Sequence, residues 1–284
     1  MKLKPGDTIA IISPAGEIAN REIFFKKVDE IKALGFKIKI FPNALNKNGY
    51  LAGSDEERLE DLHGAFSDGE VNAILCSRGG YGTLRLLDKI DYNIVKNNPK
   101  IFIGSSDITN LLIAFYARAN LKSFHALMLL NGFSQRDINL INNQKEILAQ
   151  KKHKIFIKGE AKGILWGGNL STVTALFGSD SYLPDDEIIL FLEDINEPLY
   201  KIDKMLLQIL RNKDLKNKIK GIIFGQFSGL SAKDLKLSEN LFFQYAKKFD
   251  VPCVLGYSIG HVKNSILIPF GRYVNLVGSK IYLL

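Results

Sequence analysis

The first half of the chain alternates between short apolar runs and segments with the apolar spacing of a helix. Residues 8–12 (TIAII) and 71–76 (VNAILC) are apolar runs that stop at turn-forming residues, which predicts buried strands. Residues 21–34 have helical spacing and are followed by Gly35, a residue type that commonly ends helices. Two further helices are predicted at 54–66 and 83–90, and Ser54 and Glu57 form a capping-box pattern at the start of the first. Two further strands are predicted at 36–41 and 101–103, and a helix follows the second of them. This alternation predicts a parallel sheet with helices on both faces.

The second half has a different pattern, in which apolar strands dominate. The segment from 134 to 160 is polar and rich in Asn and Lys, which is typical of a linker. The segments beyond it predict strands at 163–166, 188–192, 222–227, 254–259, 266–270 and 280–283, with two helices at 200–211 and 237–248. We therefore predict an α/β protein with two domains. They are an N-terminal flavodoxin- or Rossmann-like domain at 1–134 and, after a linker at 135–160, a β-rich α+β domain at 161–284.

Composition and charge narrow the possible classes of protein. Apolar residues make up 46% and charged residues 24%, which excludes a disordered chain. The net charge of +8 (38 basic against 30 acidic residues) makes nucleic acid a conceivable partner. The lysines are spread along the chain without interleaved aromatic residues, however, so we predict a solvated basic surface and no nucleic-acid partner.

The two cysteines and the N-terminal segment bear on compartment and cofactors. Cys76 and Cys253 both lie in apolar runs, which predicts buried thiols in a reducing compartment. No group of cysteines has metal-ligand spacing, so we expect no metal and no cofactor. Residues 9–12 are too short for the core of a signal peptide, and no run is long enough to span a membrane. We therefore expect a cytoplasmic protein without a membrane partner.

One candidate nucleophile lies where the strand at 101–103 meets a helix. The strand is followed by Gly104, Ser105, Ser106 and Asp107, and a serine in such a turn can project its hydroxyl above the sheet. The free backbone N–H groups of the helix start favour negative charge there. The alternative is that one of these polar residues only caps the helix. The second glycine of a G-x-S-x-G motif is missing, because Ile108 occupies that position.

Two further strand ends carry candidate site residues. The glycine-rich loop at 78–82 (RGGYG) allows a ligand to approach the backbone closely, although a plain strand-to-helix turn explains it equally well. Glu193 and Asp194 follow the apolar strand IILFL, and burying two carboxylates there is costly unless they have partners. The alternative is that both are solvated turn residues.

A proton carrier near neutral pH is most simply one of the four histidines. His63 and His153 lie in polar surroundings and are predicted at the surface, whereas His125 lies in an apolar stretch and is predicted in the core. His261 follows Gly260 at the end of a predicted strand, which makes its position the most favourable of the four.

Taken together, these segments resemble a known family. The ordered set is SPAG at 13–16, RGGYG at 78–82, GSSD at 104–107, WGGNLS at 166–171, LFLEDINEP at 190–198 and GH at 260–261. It is similar to the LD-carboxypeptidase family of serine peptidases, which also includes microcin self-immunity peptidases. Each motif is unspecific alone, but the set covers nearly the whole chain. The chain departs from the family at Ser105, where relatives often carry an aromatic residue or histidine, which leaves the effect of Ser105 on the substrate pocket open.

The resemblance implies a role for each matching residue. Ser106 would be the nucleophile, His261 the general base and Glu193 the acid that orients it, with the nucleophile on the N-terminal domain and the other two on the C-terminal domain. The resemblance also implies backbone oxyanion donors near Gly80 and Asp107, and Trp166 and Asn169 are candidate substrate contacts. A carboxypeptidase must bind an anionic terminal carboxylate, and Arg78 is our hypothesis for that contact.

The resemblance also implies an activity. A serine carboxypeptidase of this family would cut muropeptide tetrapeptides between the L-centre of the third residue and the terminal D-Ala, a cytoplasmic step of peptidoglycan recycling. It would act as a homodimer on a small substrate. One alternative is a self-immunity peptidase that cleaves peptidyl- or aminoacyl-nucleotide conjugates, and another is a non-catalytic binding module. The third peptide residue (diaminopimelate or lysine), the acceptance of sugar-linked substrates and the oligomeric state stay open.

Overall fold

The computed structural model describes residues 1–143, 146–147, 153–178 and 182–284. Its strands form two β-sheets. The chain divides into two units, Met1–Asn143 and Gln144–Leu284. Helices and strands alternate in both, and the predicted α/β fold class is confirmed.

The first unit is built on parallel strands in the order β5-β4-β3-β1-β2. Helices cover the sheet on both faces, and the central strands are almost wholly buried, as expected for a parallel sheet. The strands are β1 Thr8–Ile12, β2 Lys37–Ile40, β3 Val71–Cys76, β4 Ile101–Gly104 and β5 Ser123–His125. The helices are α1 Arg21–Lys32, α2 Asp55–Ser67, α3 Tyr92–Asn97, α4 Thr109–Ala119 and α5 Gln135–Asn142.

The predicted start of α2 is confirmed, because the residues at the start of this helix cap it themselves. Ser54 and Glu57 form the reciprocal capping box that the sequence predicts. The helix predicted at 83–90 is wrong, because the chain forms two short 3₁₀ turns, Thr83–Arg85 and Leu87–Lys89. Thr83 donates from its backbone N–H to the carboxylate of Asp107 and from its hydroxyl to the Asp107 carbonyl, so the segment starts at a cap. A segment of this length has too few intrahelical bonds to form a regular helix by itself.

The second unit contains an eight-stranded sheet in the order β6-β14-β13-β8-β9-β10-β11-β7. The strands of the unit are β6 Glu146–Ile147, β7 Lys154–Ile157, β8 Glu160–Asn169, β9 Ile188–Ile195, β10 Ile219–Ser228, β11 Cys253–Leu255, β12 Ile268–Phe270, β13 Tyr273–Val277 and β14 Lys280–Leu283. Its helices, within the described residues, are α6 Leu170–Ala175, α7 Leu199–Arg211, α8 Lys213–Lys218 and α9 Ala232–Phe249.

The centre of this second sheet is parallel. Strands β8, β9, β10 and β11 run in the same direction, with helices in the connections, while β7, β13 and β14 pair antiparallel at the flanks. The expectation of only two helices in this half is wrong, because α6 and α8 are too short to show a helical period. The strand predicted at 254–259 ends at Leu255, and the chain beyond it forms an irregular loop.

The predicted linker at 135–160 has structure at both ends. It begins with α5, which belongs to the first unit, and ends in the edge strand β7. Residues 144–145 and 148–152 of the predicted linker lie outside the described residues. The domain boundaries themselves stay a prediction.

Buried residues predicted from apolar runs lie in the two cores. Cys76 and Cys253 are unpaired thiols with exposed fractions of 0% and 1%, and burial raises the pKa of Cys253 to about 12. His125 is also buried, as predicted. No helix within the described ranges is long and apolar enough to cross a bilayer.

Candidate active site

Ser106 lies in a strained turn directly after β4. Its φ angle is +60°, in the left-handed region that a non-glycine residue rarely adopts. Such a backbone conformation costs on the order of 1–3 kcal/mol and is common at functional sites. A methyl group at Gly104 would collide with the side chain of Ile108, so the glycine at 104 is needed and Ile108 fills the space. The turn thus keeps the sharp geometry of a nucleophile-bearing turn without a second glycine.

Asp107 connects this turn to the glycine-rich loop. Its carboxylate accepts a 2.9 Å hydrogen bond from the backbone N–H of Thr83, and its carbonyl accepts a 2.6 Å bond from the Thr83 hydroxyl. Burial raises the pKa of Asp107 above its usual range, against these hydrogen bonds. Ser105 stands at the helix N-cap position but makes no capping hydrogen bond. The polar residues of the turn therefore do not serve as the simple caps that the sequence left open.

The glycine-rich loop approaches Ser106 with bare backbone. A methyl group at Gly79 would lie 2.8 Å from Cβ and 3.0 Å from Oγ of Ser106. Gly80 has a φ of +121°, and a methyl group there would lie 3.3 Å from Cα of Gly16. The N–H of Gly16 in turn donates to the carbonyl of Gly79 at 3.2 Å. Bare backbone at Gly79 therefore lies against the serine, and an oxyanion hole of backbone N–H groups requires such an approach.

A buried arginine fixes the loops beneath this region. Arg58 is 1% exposed, and its Nη1 donates to the carbonyls of Pro14 at 2.6 Å and Gly82 at 3.0 Å. Its Nη2 pairs with Asp55 at 2.6 Å. A hydrogen bond from Arg85, together with the other cations, lowers the pKa of Asp55 to about 2. Sequence reasoning missed Arg58, since an arginine one turn into a helix is usually exposed.

In the second unit, Glu193 and His261 form a hydrogen-bonded pair. Glu193 is 0% exposed near the end of β9, and its Oε2 lies 2.8 Å from Nδ1 of His261. Burial alone lowers the pKa of His261, but the hydrogen bond and the charge of Glu193 outweigh it, so the pKa lies above its usual value. The alternative that Glu193 and Asp194 are solvated turn acids is wrong, because both are buried.

The loop that carries His261 is shaped by contacts from β10 and from the loop itself. Gly260 has a φ of +120°, and a methyl group there would lie 2.6 Å from Oε2 of Glu193. The side chain of Gln226 donates to the carbonyl of Tyr257 at 3.0 Å, and its backbone N–H donates to that of Ile259 at 2.9 Å. The Ser265 hydroxyl accepts from the N–H of Gly260 at 3.1 Å. Most of these partners are distant from one another in sequence, so local signals do not predict them.

Asn169 and Asp194 lock the end of β8 to the end of β9. Oδ1 of Asn169 accepts from the backbone N–H of Thr172 at 3.1 Å and from the hydroxyl of Ser171 at 2.7 Å, so it caps α6. Its Nδ2 donates to Asp194 at 2.9 Å, and Asp194 also accepts from the N–H of Ser171 at 2.9 Å. Burial raises the pKa of Asp194 to about 6. Asn169 therefore caps α6 and joins the ends of β8 and β9, whereas its contact with substrate stays a prediction.

Two other predicted substrate contacts occupy different environments. Trp166 is 2% exposed on β8, and its Nε1 has no hydrogen-bond partner among the described residues. Arg78 donates from Nη1 to the carbonyl of Glu17 at 3.0 Å and from Nε to that of Gly79 at 3.3 Å. Arg78 therefore braces the loops around Ser106, and both assignments as substrate contacts stay predictions.

The two histidines predicted at the surface are half-buried. Nε2 of His63 accepts from the backbone N–H of Asp91 at 3.0 Å. The ring of His153 stacks on that of Tyr257 at a centroid distance of 4.4 Å. Burial lowers the pKa of both histidines. Each histidine thus has a structural contact that explains its partial burial.

Comparisons with known proteins place the chain among peptidases. Residues 9–126 match the LD-carboxypeptidase N-terminal domain, and residues 162–276 match the LD-carboxypeptidase C-terminal domain. A protein of Bacillus subtilis (strain 168) named "probable murein peptide carboxypeptidase" is 34% identical over 288 residues, which cover 95% of this chain and 88% of that protein.

Solved structures share the fold over the whole chain. A crystal structure of an MccF-like protein from Bacillus anthracis strain Ames has a TM-score of 0.90 and 27% identity, covering 100% of this chain and 98% of that one. A crystal structure of a muramoyltetrapeptide carboxypeptidase from Oxalobacter formigenes has a TM-score of 0.83 and 26% identity, covering 97% of each chain. The two proteins carry different names on one fold, so the fold alone does not select a substrate.

Proposed function

Because the chain belongs to the LD-carboxypeptidase family, we propose that it is a serine carboxypeptidase that hydrolyses muropeptide tetrapeptides. The bond cleaved lies between the L-centre of the third residue and the terminal D-Ala, a step of cytoplasmic peptidoglycan recycling. The observation that carries the proposal is the 2.8 Å hydrogen bond between buried Glu193 and Nδ1 of His261. A carboxylate that holds one ring nitrogen leaves Nε2 to exchange a proton, which is the arrangement of a serine-peptidase base.

In the proposed reaction, Oγ of Ser106 attacks the carbonyl carbon of the third residue. His261 takes the hydroxyl proton at Nε2 and Glu193 stabilises the imidazolium. When the C–N bond breaks, His261 gives the proton to the amino group of the departing D-Ala. Water, deprotonated by the same histidine, then hydrolyses the ester on Ser106 and restores the free enzyme.

The tetrahedral intermediate requires donors for its oxyanion. We assign the backbone N–H groups of Gly80 and Asp107 to this role. The close approach of Gly79 to Ser106 supports the assignment, because a methyl group added at Gly79 would lie only 2.8 Å from Cβ of the serine and only backbone fits there. Each such donor contributes about 10²–10³-fold to the rate of comparable enzymes.

The terminal carboxylate of the substrate needs a cationic partner. Arg78 is the candidate, because its Nε and Nη1 are used by loop carbonyls whereas its Nη2 has no hydrogen-bond partner among the described residues. A guanidinium held by two bonds is preorganised to bind a carboxylate with its remaining N–H groups. Trp166 and Asn169 complete the proposed substrate contacts, and a homodimer is the proposed assembly.

A second candidate function is supported by the likeness to the MccF-like protein, which has a TM-score of 0.90 over the full chain. In that case the same three catalytic residues would hydrolyse a peptidyl- or aminoacyl-nucleotide conjugate. In both candidate reactions the acyl part of the substrate forms an ester with Ser106. The reactions differ in the group that leaves, which is D-Ala in the first and the nucleotide part of the conjugate in the second.

Mass spectrometry of products tests the proposal. Purified protein is incubated with L-Ala-γ-D-Glu-meso-diaminopimelate-D-Ala, with the L-Lys analogue and with an aminoacyl-nucleotide conjugate. We expect wild type to release one D-Ala from at least one tetrapeptide and Ser106→Ala to release none. Ser67→Ala is the matched control, because this serine is exposed in the last turn of α2, and it should retain activity. Cleavage of the conjugate alone would establish the second candidate, and D-Ala release by Ser106→Ala would overturn the assigned nucleophile.

A further inference from the structure

Thr83 joins the two segments to which the oxyanion donors are assigned. Its backbone N–H donates to the carboxylate of Asp107 at 2.9 Å, and its hydroxyl donates to the Asp107 carbonyl at 2.6 Å. Thr83 is wholly buried and lies three positions after Gly80, the other assigned donor. Among the described residues, the N–H groups of Gly80 and Asp107 donate to no other protein atom. One buried residue thus stands on the loop of one donor and is bonded to the residue that carries the other.

Helix capping explains only one of the two bonds that Thr83 makes. The free N–H at the start of the turn Thr83–Arg85 needs an acceptor, and the carboxylate of Asp107 supplies it. A cap makes no use of the threonine hydroxyl, which bonds to the backbone carbonyl of Asp107. Bonds to both the side chain and the carbonyl fix the orientation of Asp107 and, with it, the direction of its N–H.

The hydroxyl of Thr83 is itself held by Asn110 on α4. The amide Nδ2 of this buried asparagine donates to Oγ1 of Thr83 at 3.1 Å. Because the amide occupies an acceptor position on Oγ1, the single hydroxyl proton is left for the carbonyl of Asp107. Asn110 lies three residues after Asp107, so the bonds of Thr83 all go to the segment that starts the helix after Ser106.

The loop on the other side of Thr83 is also closely held. Nη1 of Arg58 donates to the carbonyl of Gly82 at 3.0 Å, and a methyl group at Gly82 would lie 2.7 Å from that nitrogen. A methyl group at Gly79 would lie 3.5 Å from the backbone nitrogen of Asp107. The loop and the Asp107 nitrogen are therefore close neighbours, and the bonds of Thr83 determine how far apart they stand.

We propose that Thr83 is a positioning residue that sets the distance between the two backbone donors of the oxyanion hole. The inference rests on the proposed carboxypeptidase function and adds to it a residue that acts through Asp107. Loss of the hydroxyl leaves the carbonyl of Asp107 and the amide of Asn110 without this partner, so Asp107 is free to turn. The tetrahedral intermediate is then stabilised less while the bound peptide is unaffected, so kcat falls and KM stays.

Steady-state kinetics of three variants tests the role of the hydroxyl. Thr83→Val removes it with little change of shape, and Thr83→Ser keeps it. Tyr92→Phe is the matched control, because it removes another hydroxyl of the same unit that donates to a backbone carbonyl, that of Leu87 at 2.8 Å. We expect Thr83→Val to lower kcat by about 10–10²-fold with KM unchanged, since a misplaced catalytic group costs rate. Thr83→Ser should retain most of the wild-type kcat, and Tyr92→Phe should match wild type.

A reagent that needs no peptide separates this inference from the choice of substrate. The phosphorus of an alkyl fluorophosphonate forms a bond to Oγ of a reactive serine, fluoride leaves, and the hydroxyl proton passes to the general base. Its P=O oxygen requires the same donors as the oxyanion, so Thr83→Val should be labelled more slowly than wild type. Intact mass measures the labelling rate. Labelling of wild type at Ser106 without release of D-Ala would reject the muropeptide substrate, and a slower rate in Thr83→Val would still support the inference.

Four other outcomes would overturn the role of Thr83. Equal kcat and equal labelling in wild type and Thr83→Val would do so and leave the carboxypeptidase function untouched. An equal loss in Thr83→Val and Thr83→Ser would show that the hydroxyl is not the cause. Absence of label at Ser106 in wild type would remove the nucleophile and the inference together. If thermal unfolding shows that Thr83→Val does not fold, Asn110→Ala replaces it and should lower kcat by a smaller factor with KM unchanged, and an unchanged kcat there would be the fourth.

Discussion

The two candidate catalytic regions are held in place by different means. In the first unit, Ser106 stands in a left-handed turn surrounded by glycine backbone, and Gly79 packs where any side chain would collide with it. In the second unit, His261 depends on Glu193, a carboxylate with no exposed surface. The serine region is therefore sensitive to added atoms, whereas the histidine region is sensitive to the loss of a charge. This difference decides which substitutions are informative in each.

The largest expected effect tests whether the two regions act as one catalytic unit. We expect Ser106→Ala and His261→Ala each to lower kcat by about 10⁴-fold, and the double variant to lose no more than either single one. The reason is that the serine is a poor nucleophile without its base, and the base has no role without the serine. Single-turnover rates of the three variants measure this, and a multiplicative loss in the double variant would contradict it.

Removal of the buried charge is the next largest effect. We expect Glu193→Gln to lower kcat by about 10³-fold, because the amide cannot stabilise the imidazolium that forms at His261. The pH profile should also move. His261 must be neutral to accept a proton, so kcat/KM rises with pH as its raised pKa is passed.

Without the carboxylate, the lowering effect of burial on the His261 pKa persists, and only Asp194 still raises it. The rising limb of kcat/KM should therefore shift to lower pH in Glu193→Gln. A pH–rate profile of wild type and variant measures both the drop and the shift. A limb that stays in place would mean that another group sets it.

An added methyl group tests whether the serine region is sensitive to extra atoms. Gly79→Ala puts a carbon 2.8 Å from Cβ of Ser106, so we expect kcat to fall by about 10²-fold through displacement of the serine or of the nearby N–H groups. Gly69→Ala is the matched control in the same unit, since a methyl group there meets nothing within 4 Å. Both variants are measured for kcat and for thermal unfolding, and equal rates in the two would refute a close-packed serine region.

The smallest expected effect concerns substrate binding by Arg78. We expect Arg78→Ala to raise KM for the tetrapeptide by about tenfold with a smaller change in kcat, because a charged hydrogen bond to the terminal carboxylate is lost. Lys96→Ala, on the exposed side of α3, removes the same charge and should leave KM unchanged. An unchanged KM in Arg78→Ala would restrict this arginine to bracing the loop at Glu17.

The helices and strands predicted correctly are those whose own residues carry the capping or apolar pattern. The helix at Asp55–Ser67 begins at a capping box that its own residues form, and strands such as Val71–Cys76 are continuous apolar runs. The short helices Leu170–Ala175 and Lys213–Lys218 escape prediction because six residues are too few to establish a period. The helix predicted from Thr83 onward is wrong, because this short segment forms two 3₁₀ turns in place of one regular helix.

The sequence by itself determined the longer helices, most of the buried strands and the family resemblance, because apolar runs, helical periods and ordered motifs lie in neighbouring residues. The three residues proposed for catalysis come from that resemblance. Only the tertiary structure decided that Glu193 is wholly buried against His261, that Ser106 adopts a φ of +60°, and that Arg58 holds the loops at Pro14 and Gly82. Each of these depends on hydrogen bonds or packing between segments far apart in the chain. Local propensity cannot specify such partners, since it acts only over neighbouring residues.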